Sequence, residues 1–297
     1  MIMRFLKYIR LKISLWLEEY GKWIPDSIYL RVKFFISVGY LLHLKYPRTY
    51  NEKLQWIKLY DRNPEYTRMV DKVEAKKYVS DILGNENHIV PTLGVYDNAY
   101  NIDFDALPNQ FVLKCSHDSG SCIICYEKSS FDRELAVRKL DKLLKKNFYY
   151  VTREWPYKNV RPRIIAEKYI CDSQSERNNL RDYKFYCFNG KVDCILVCAN
   201  RHTDLKYYYF TPDWQFLRWD KQTQYMPCGF TLPKPDNLDE MITLAEKLSS
   251  RVKHVRVDLY DIGGTVYFGE YTFFTNCGFD RTITRECDVY LGKKLCI

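Results

Sequence analysis

Two runs near the C-terminus, Val255-Arg256-Val257-Asp258-Leu259-Tyr260 and residues 265–273, flank Asp261-Ile262-Gly263-Gly264 and read together as a β-hairpin. Alternation puts Arg256, Asp258 and Tyr260 on one face of the first strand and apolar residues on the other. In the second strand Val266, Phe268, Glu270 and Thr272 share a face. If Asp258 falls opposite Glu270, two carboxylates lie roughly 5 Å apart. Like charges that close need neutralising. Either a divalent cation sits between them, oxygen ligands favouring Mg²⁺ over zinc, or Arg256 closes a structural ion pair. Both readings stand at this point.

The rest of the chain alternates helices with strand pairs. Residues 1–50 read as helices broken at Pro25-Asp26 and at Pro47, and Asn51 is the expected N-cap of the next helix. Helical spacing of Met69, Val73 and Val79 predicts one helix over 65–83, and strands follow at 88–96 and 110–115. Beyond them come a polar loop at 116–121, a strand at 122–126, a helix at 131–146 and a strand at 163–170. A polar link covers 172–179, Asn189-Gly190 marks a second hairpin, and Leu238, Met241, Ile242, Ala245 and Leu248 mark a last amphipathic helix. This pattern predicts an α+β protein with antiparallel sheets.

Charge narrows the partners. The formal net charge is +9, and residues 1–50 hold nine Lys/Arg against Glu18, Glu19 and Asp26, so most of the excess lies in that stretch. A basic terminus on a near-neutral body suits an anionic surface; no RNA-binding or zinc-finger motif is present, so nucleic acid is not expected. At helical pitch Arg4, Lys7, Arg10, Ser14 and Glu18 share an arc, with Ile2, Phe5, Ile9, Ile13 and Trp16 largely elsewhere. Residues 1–20 are therefore either an interfacial membrane helix or a helix packed on its own domain. The chain contains no apolar run of the roughly 18 residues that span a bilayer. Eleven cysteines, several inside apolar strands, read as reduced thiols in a cytoplasmic protein, at the inner face of the membrane if the first helix is interfacial.

Lys114 ends an apolar strand just before the loop Ser116-His117-Asp118-Ser119-Gly120-Ser121, where it either contacts phosphates covered by the loop N–H groups or is a solvated lysine before a turn. Asp182 and Lys184 share a strand face, as a surface pair or as site residues. Glu167 follows Ile164-Ile165-Ala166, which an edge-strand exit also explains.

In order, these segments resemble the TupA-like ATP-grasp family, linked to bacterial capsule and teichuronopeptide biosynthesis. The resemblance rests on Asn51–Pro64, residues 70–79, 110–120, Arg153-Glu154-Trp155-Pro156-Tyr157, 162–167, 182–185, 255–260 and Gly269-Glu270-Tyr271-Thr272. It implies an ATP-grasp fold in which two antiparallel-sheet subdomains clasp ATP: a helical extension over 1–50, a preceding region over 51–109, a small subdomain with a lid over 110–170, and a large subdomain over 171–297. By resemblance Lys72 and Lys114 bind phosphates, His117, Asp118, Ser119, Gly120 and Ser121 form the lid, and Glu167, Lys168, Tyr169 and Ile170 form the adenine-reading hinge. Asp182 joins the nucleotide site and Lys184 is a further phosphate contact. Asp258 and Glu270 resemble Mg²⁺ carboxylates, with Thr272 where many members have Asn, and Arg256 resembles the cation that stabilises the transferred phosphoryl group. The implied reaction is ADP-forming ligation of a carboxylate to an amine through an acyl phosphate, the acid being a uronic acid of a surface glycan and the amine an amino acid. Arg153, Trp155, Tyr157 and Arg163 are expected either to face that acidic sugar or to form a packed loop. A glycosyltransferase and a non-catalytic ATP-grasp-like membrane protein are the competing readings; the first wants a nucleotide-sugar metal motif that the sequence does not offer.

Overall fold

The computed structural model describes residues 2–171, 181–199 and 204–297, with side chains from residue 8 onward. The link expected at 172–179 and the side chains of Arg4 and Lys7 lie outside the described residues. Five helices lead the chain: α1 (Ile2–Tyr20), α2 (Asp26–Val38), α3 (Tyr50–Tyr60), α4 (Glu65–Val70) and α5 (Glu74–Leu83). Then come β1 (Thr92–Tyr96), β2 (Phe111–Cys115), β3 (Cys122–Cys125), α6 (Arg133–Leu144), α7 (Tyr149–Thr152) and β4 (Ile164–Lys168). The last part holds β5 (Asp182–Phe188), β6 (Lys191–Ala199), β7 (Lys206–Phe210), β8 (Phe216–Leu217), α8 (Leu238–Ser249), β9 (His254–Ile262), β10 (Thr265–Thr272) and α9 (Arg285–Lys294).

The strands form two antiparallel sheets, one of four strands in the order β1-β4-β2-β3 and one of six in the order β10-β9-β5-β6-β7-β8. β1 comes from the segment expected only to precede the small subdomain, yet it pairs with β4 as an edge of that subdomain's sheet. In the small sheet Phe111, Leu113, Cys115 and Ala166 turn to a core closed by α6 through Leu140. Their strand neighbours Val112, Lys114, Ile165 and Glu167 therefore face the other way. In the large sheet Tyr183, Phe185, Val257 and Tyr271 share the face that packs on α8, where the Tyr271 hydroxyl donates to Leu248 O at 3.2 Å. The opposite face carries the charges.

Three local expectations change. The helix expected over 65–83 breaks at Asp71-Lys72-Val73. Asp71 Oδ1 accepts the Val73 N–H at 2.9 Å, a local bond that competes with the helical ladder, and the Lys72 N–H goes to Ser116 O at 3.2 Å. Asn51 is not the cap of α3. Thr49 and Glu52 form a reciprocal capping box, worth about 1 kcal/mol, while buried Asn51 binds Asp280 and Asp288. The third change is a bulge: Phe268 pairs with Leu259 but Glu270 with Asp258, leaving Gly269 as the extra residue. The alternation that placed Phe268 and Glu270 on one face is broken there. Phe268 stays with the core side and Glu270 turns to the charged side. The turn expected at Asn189-Gly190 forms with both residues at positive φ, the backbone a tight right-twisted hairpin requires.

Candidate active site

Because Lys184 and Glu270 both lie opposite Asp258 in the register, β5, β9 and β10 present Lys184, Asp258 and Glu270 side by side. Arg256 and Thr272 follow one pair further along. Asp258 is almost fully buried and is held by cations: Arg256 Nε reaches Oδ1 at 2.6 Å, Arg256 Nη2 reaches Oδ2 at 2.8 Å, and Lys184 Nζ bonds Oδ2. Lys184 also pairs with Asp182 at 2.6 Å. Burial alone would raise the Asp258 carboxyl, but Arg256 and Lys184 outweigh it and hold it below the ordinary aspartate value. Thr272 Oγ1 accepts from Arg256 Nη2 at 2.9 Å and donates to Glu270 Oε1 at 3.3 Å. Glu270 lies 3.8 Å from Arg256 and stays partly open to solvent. Of the two neutralisers the hairpin allowed, Arg256 is therefore in place.

The facing wall comes from the small sheet. Glu167 does not leave the strand edge; it is buried on the cleft face, with Lys76 Nζ at 2.5 Å and Lys114 Nζ at 2.7 Å. Burial pushes its carboxyl up, and the two lysines reverse this to a net lowering. Lys72 reaches the loop, bonding Asp118 O, while Ser121 Oγ donates to Asp118 Oδ1 and accepts from Cys115 N–H at 2.9 Å. Ser119, Gly120 and Ser121 line the cleft, and Gly120 takes φ +93°, which favours glycine. His117 turns away from it. Its Nε2 points to Leu143 O and Lys146 O at 3.2 and 3.1 Å, pinning the loop to the end of α6.

Between the walls lies a cavity of about 280 Å³ that Lys72, Lys76, Lys114, Lys184, Asp258 and Glu270 help to line. It runs into a second one of about 180 Å³, apolar on Val112, Ile124, Tyr126 and Phe268 and edged by Lys168, Tyr169 and Ile170. A third, of about 430 Å³, opens beyond Lys184 and Arg256 onto Tyr207, Tyr209, Asn276 and Thr282. Asn276 and Cys277 both take positive φ, an arrangement that concentrates at ligand sites. Neither Lys76 nor this third pocket was anticipated from sequence. Lys76 reads as an ordinary solvated lysine on α5, and only the fold brings it to Glu167.

Of the four residues expected near an acidic sugar, Arg153 is buried elsewhere. Its Nη2 donates to Gly21 O at 2.7 Å, Nε lies 3.3 Å from Asp26, and the guanidinium stacks on Tyr29 at 4.2 Å. Arg163 pairs with Asp71 at 2.7 Å and Glu74 at 3.0 Å, fastening the α4–α5 break to β4. Trp155 is half-buried at the start of a short 3-10 turn. Tyr157 lies in the same short turn and packs against the main core; burial, then Glu154 and Glu270, push its phenol well above the ordinary range.

The carboxylates of the cleft are donors of the hard-oxygen type that Mg²⁺ takes. No group of three or more His, Cys, Asp or Glu suited to a metal occurs among the described residues, but Mg²⁺ commonly takes one or two carboxylates and completes its shell from phosphates and water. Asp258 and Glu270 are hard oxygen donors paired on adjacent strands, with both Asp258 oxygens bonded to Arg256 and Lys184.

Comparison with solved structures returns D-alanine–D-alanine ligase from Bacillus anthracis complexed with ATP, at 16% identity and TM-score 0.43 over 76% of this chain and 62% of that one. It also returns phosphoribosylamine–glycine ligase from Thermotoga maritima, at 10% identity and TM-score 0.41 over 70% and 48%. The ATP-grasp ligase PsnB complexed with minimal precursor aligns at 9% identity and TM-score 0.42 over 79% and 61%. This chain thus spans less than two thirds of each of these three. No curated protein matches the sequence. A family model described as TupA-like ATPgrasp matches residues 52–296, nearly the whole of both sheets and their helices, and on that match the chain belongs to the TupA-like ATP-grasp family.

Proposed function

We propose that this protein binds Mg-ATP between its two sheets and uses it to activate a carboxylate for ligation to an amine. One observation carries the reading: Lys72, Lys76 and Lys114 on one side and Lys184, Asp258 and Glu270 of the large sheet on the other border one cleft, which runs into an apolar slot, while Arg256 lines the pocket that adjoins it at Lys184. A triphosphate matches the cationic part and a planar base the slot. Lys72, Lys114 and Lys184 contact phosphates under the N–H groups of Ser119, Gly120 and Ser121, and the backbone of Lys168, Tyr169 and Ile170 meets the base edge. Asp258 and Glu270 would hold Mg²⁺, which when bound offsets charge on the phosphate oxygens. Arg256, oriented by Thr272, turns from Asp258 towards the phosphoryl group in transfer.

The acid enters by the pocket beyond Arg256, where Tyr207 and Tyr209 suit a sugar ring and Asn276 and Thr282 its hydroxyls. Its carboxylate oxygen attacks the γ-phosphorus of ATP, releasing ADP and leaving an acyl phosphate. An amine then attacks the acyl carbon, phosphate departs, and an amide remains. The family's setting points to a uronic acid of a bacterial surface polysaccharide and an amino acid, with the reaction in the cytoplasm; this last step is an analogy.

Incubation with Mg-ATP, uronic acids and amino acids should release ADP and phosphate only when both substrates are present. Turnover of a sugar nucleotide without ATP consumption would instead favour a glycosyltransferase.

A further inference from the structure

α1 is amphipathic in an inverted sense. Its polar arc faces the protein: Lys33 of α2, itself buried, donates to Ser14 Oγ at 2.6 Å and pairs with Glu18, and Ser14 donates to Glu18 Oε1 at 3.3 Å. With Lys33 buried and Glu18 half-buried, this pair fixes the roll of the helix, since removing Glu18 leaves the lysine charge stranded. The opposite arc is left outward. Tyr8, Leu11, Leu15, Trp16 and Tyr20 keep 48–57% of their area exposed, and Trp23 in the turn after α1 keeps 77%. α2 repeats the pattern, with Ile28, Val32 and Phe35 exposed at helical spacing and Arg31 on the same arc. Arg31 is also one wall of a groove of about 550 Å³ lined by His43, Lys45, Tyr46, Arg48 and Arg285. Among the described residues lining that groove Glu52 is the one carboxylate, and it is spent on the N–H groups of Arg48 and Thr49 at 2.8 and 3.1 Å; Arg285 pairs with Asp288 at 3.5 Å.

We propose that the outer face of α1 and α2, with the basic groove bordering α2, is a docking surface for an anionic lipid bilayer. The composition selects that occupant. Trp and Tyr among aliphatic side chains suit the headgroup level of a membrane, and the neighbouring cations match its negative potential. No helix among the described residues is long and apolar enough to cross a membrane. Of the two expectations for residues 1–20, packing on the domain is seen for the Ser14–Glu18 arc, and the membrane contact proposed here concerns the other arc. This inference does not depend on the reading of the ATP cleft.

The test is sedimentation of the full-length protein with vesicles of phosphatidylcholine alone and with added phosphatidylglycerol, at low and high salt. The expected result is binding to the anionic vesicles, weakened by salt. Leu11→Ser with Trp16→Ser should lower the partition coefficient by about tenfold or more, since each exchange withdraws an apolar side chain from the interface. Lys45→Glu with Arg48→Glu should lower it similarly, at about 1 kcal/mol per cation removed. All four positions are exposed, and circular dichroism and Mg-ATP binding should match wild type. The proposal is overturned if wild type ignores anionic vesicles, if neutral vesicles bind it equally, or if both variants partition like wild type. It is also overturned if the Leu11/Trp16 variant instead abolishes a concentration-dependent dimer, because the face would then belong to a second copy of the chain.

Discussion

His254 shows how tightly single residues are specified at the root of the charged face. Its Nδ1 lies 2.9 Å from Cys187 O, which can only accept, so Nδ1 carries the proton and Nε2 accepts from the Tyr50 hydroxyl at 2.7 Å. Burial drives its pKa from 6.5 down to about 4. The imidazole is thus neutral in the fold but takes a proton in the unfolded chain below the ordinary value, so its contribution to stability is complete above pH 6.5 and is lost as pH falls towards 4. That loss amounts to about 3 kcal/mol. Denaturant titrations across this window should show the decline, and His254→Phe should remove a comparable part of the slope; an unchanged slope would mean that His254 is not the group titrating. Lys76 and Arg153 mark what sequence could not convey at this scale. Lys76 looks like a solvated cation locally, and Arg153 reads equally as a contact to an acidic sugar or as part of a packed loop; each is defined by partners far along the chain, Glu167 for one and Gly21, Asp26 and Tyr29 for the other.

Among the elements, the hairpins were legible because their cause is local: Asn189-Gly190 and Gly263-Gly264 supply paired positive φ values. The strand faces were legible too, up to the bulge. A glycine in a strand signals a close approach or an extra residue without saying which, so the side on which Glu270 emerges could be read only from the register. A Cβ on Gly269 would meet Tyr260 Cε2 at 2.9 Å and Asp258 O at 3.1 Å. Gly269→Val should therefore cost about 1–3 kcal/mol of stability. By disturbing the Asp258–Glu270 pairing it should also weaken Mg-ATP binding more than a mutation of equal cost in the α6 core would. Thermal unfolding alongside nucleotide titration of both variants decides this, and equal affinities would mean that the bulge serves only packing.

At the scale of the whole molecule, two sheets border a charged cleft, and Arg153 ties α7 to α2 and to the turn between α1 and α2. The class of fold was readable from the alternation of helices and strand pairs, whereas the entry of β1 into the small sheet was not, because an edge strand's partner lies beyond its own sequence. Removing a buried, paired cation costs about 3–5 kcal/mol when its partners are stranded. Arg153→Ala should thus loosen α1 and α2 and expose residues 21–26 to limited proteolysis, while nucleotide binding persists. Unaltered protease resistance would show that these helices are held by their apolar contacts alone.

The account rests on a triphosphate held from both sides of the cleft, and calorimetric titration of Mg-ATP into wild type, Lys114→Met and Glu270→Gln tests it most directly. Wild type should bind saturably at one site, and each variant about tenfold or more weaker, as expected for losing one charge-assisted contact. No binding by wild type, or variants that bind as well as it does, would contradict the account.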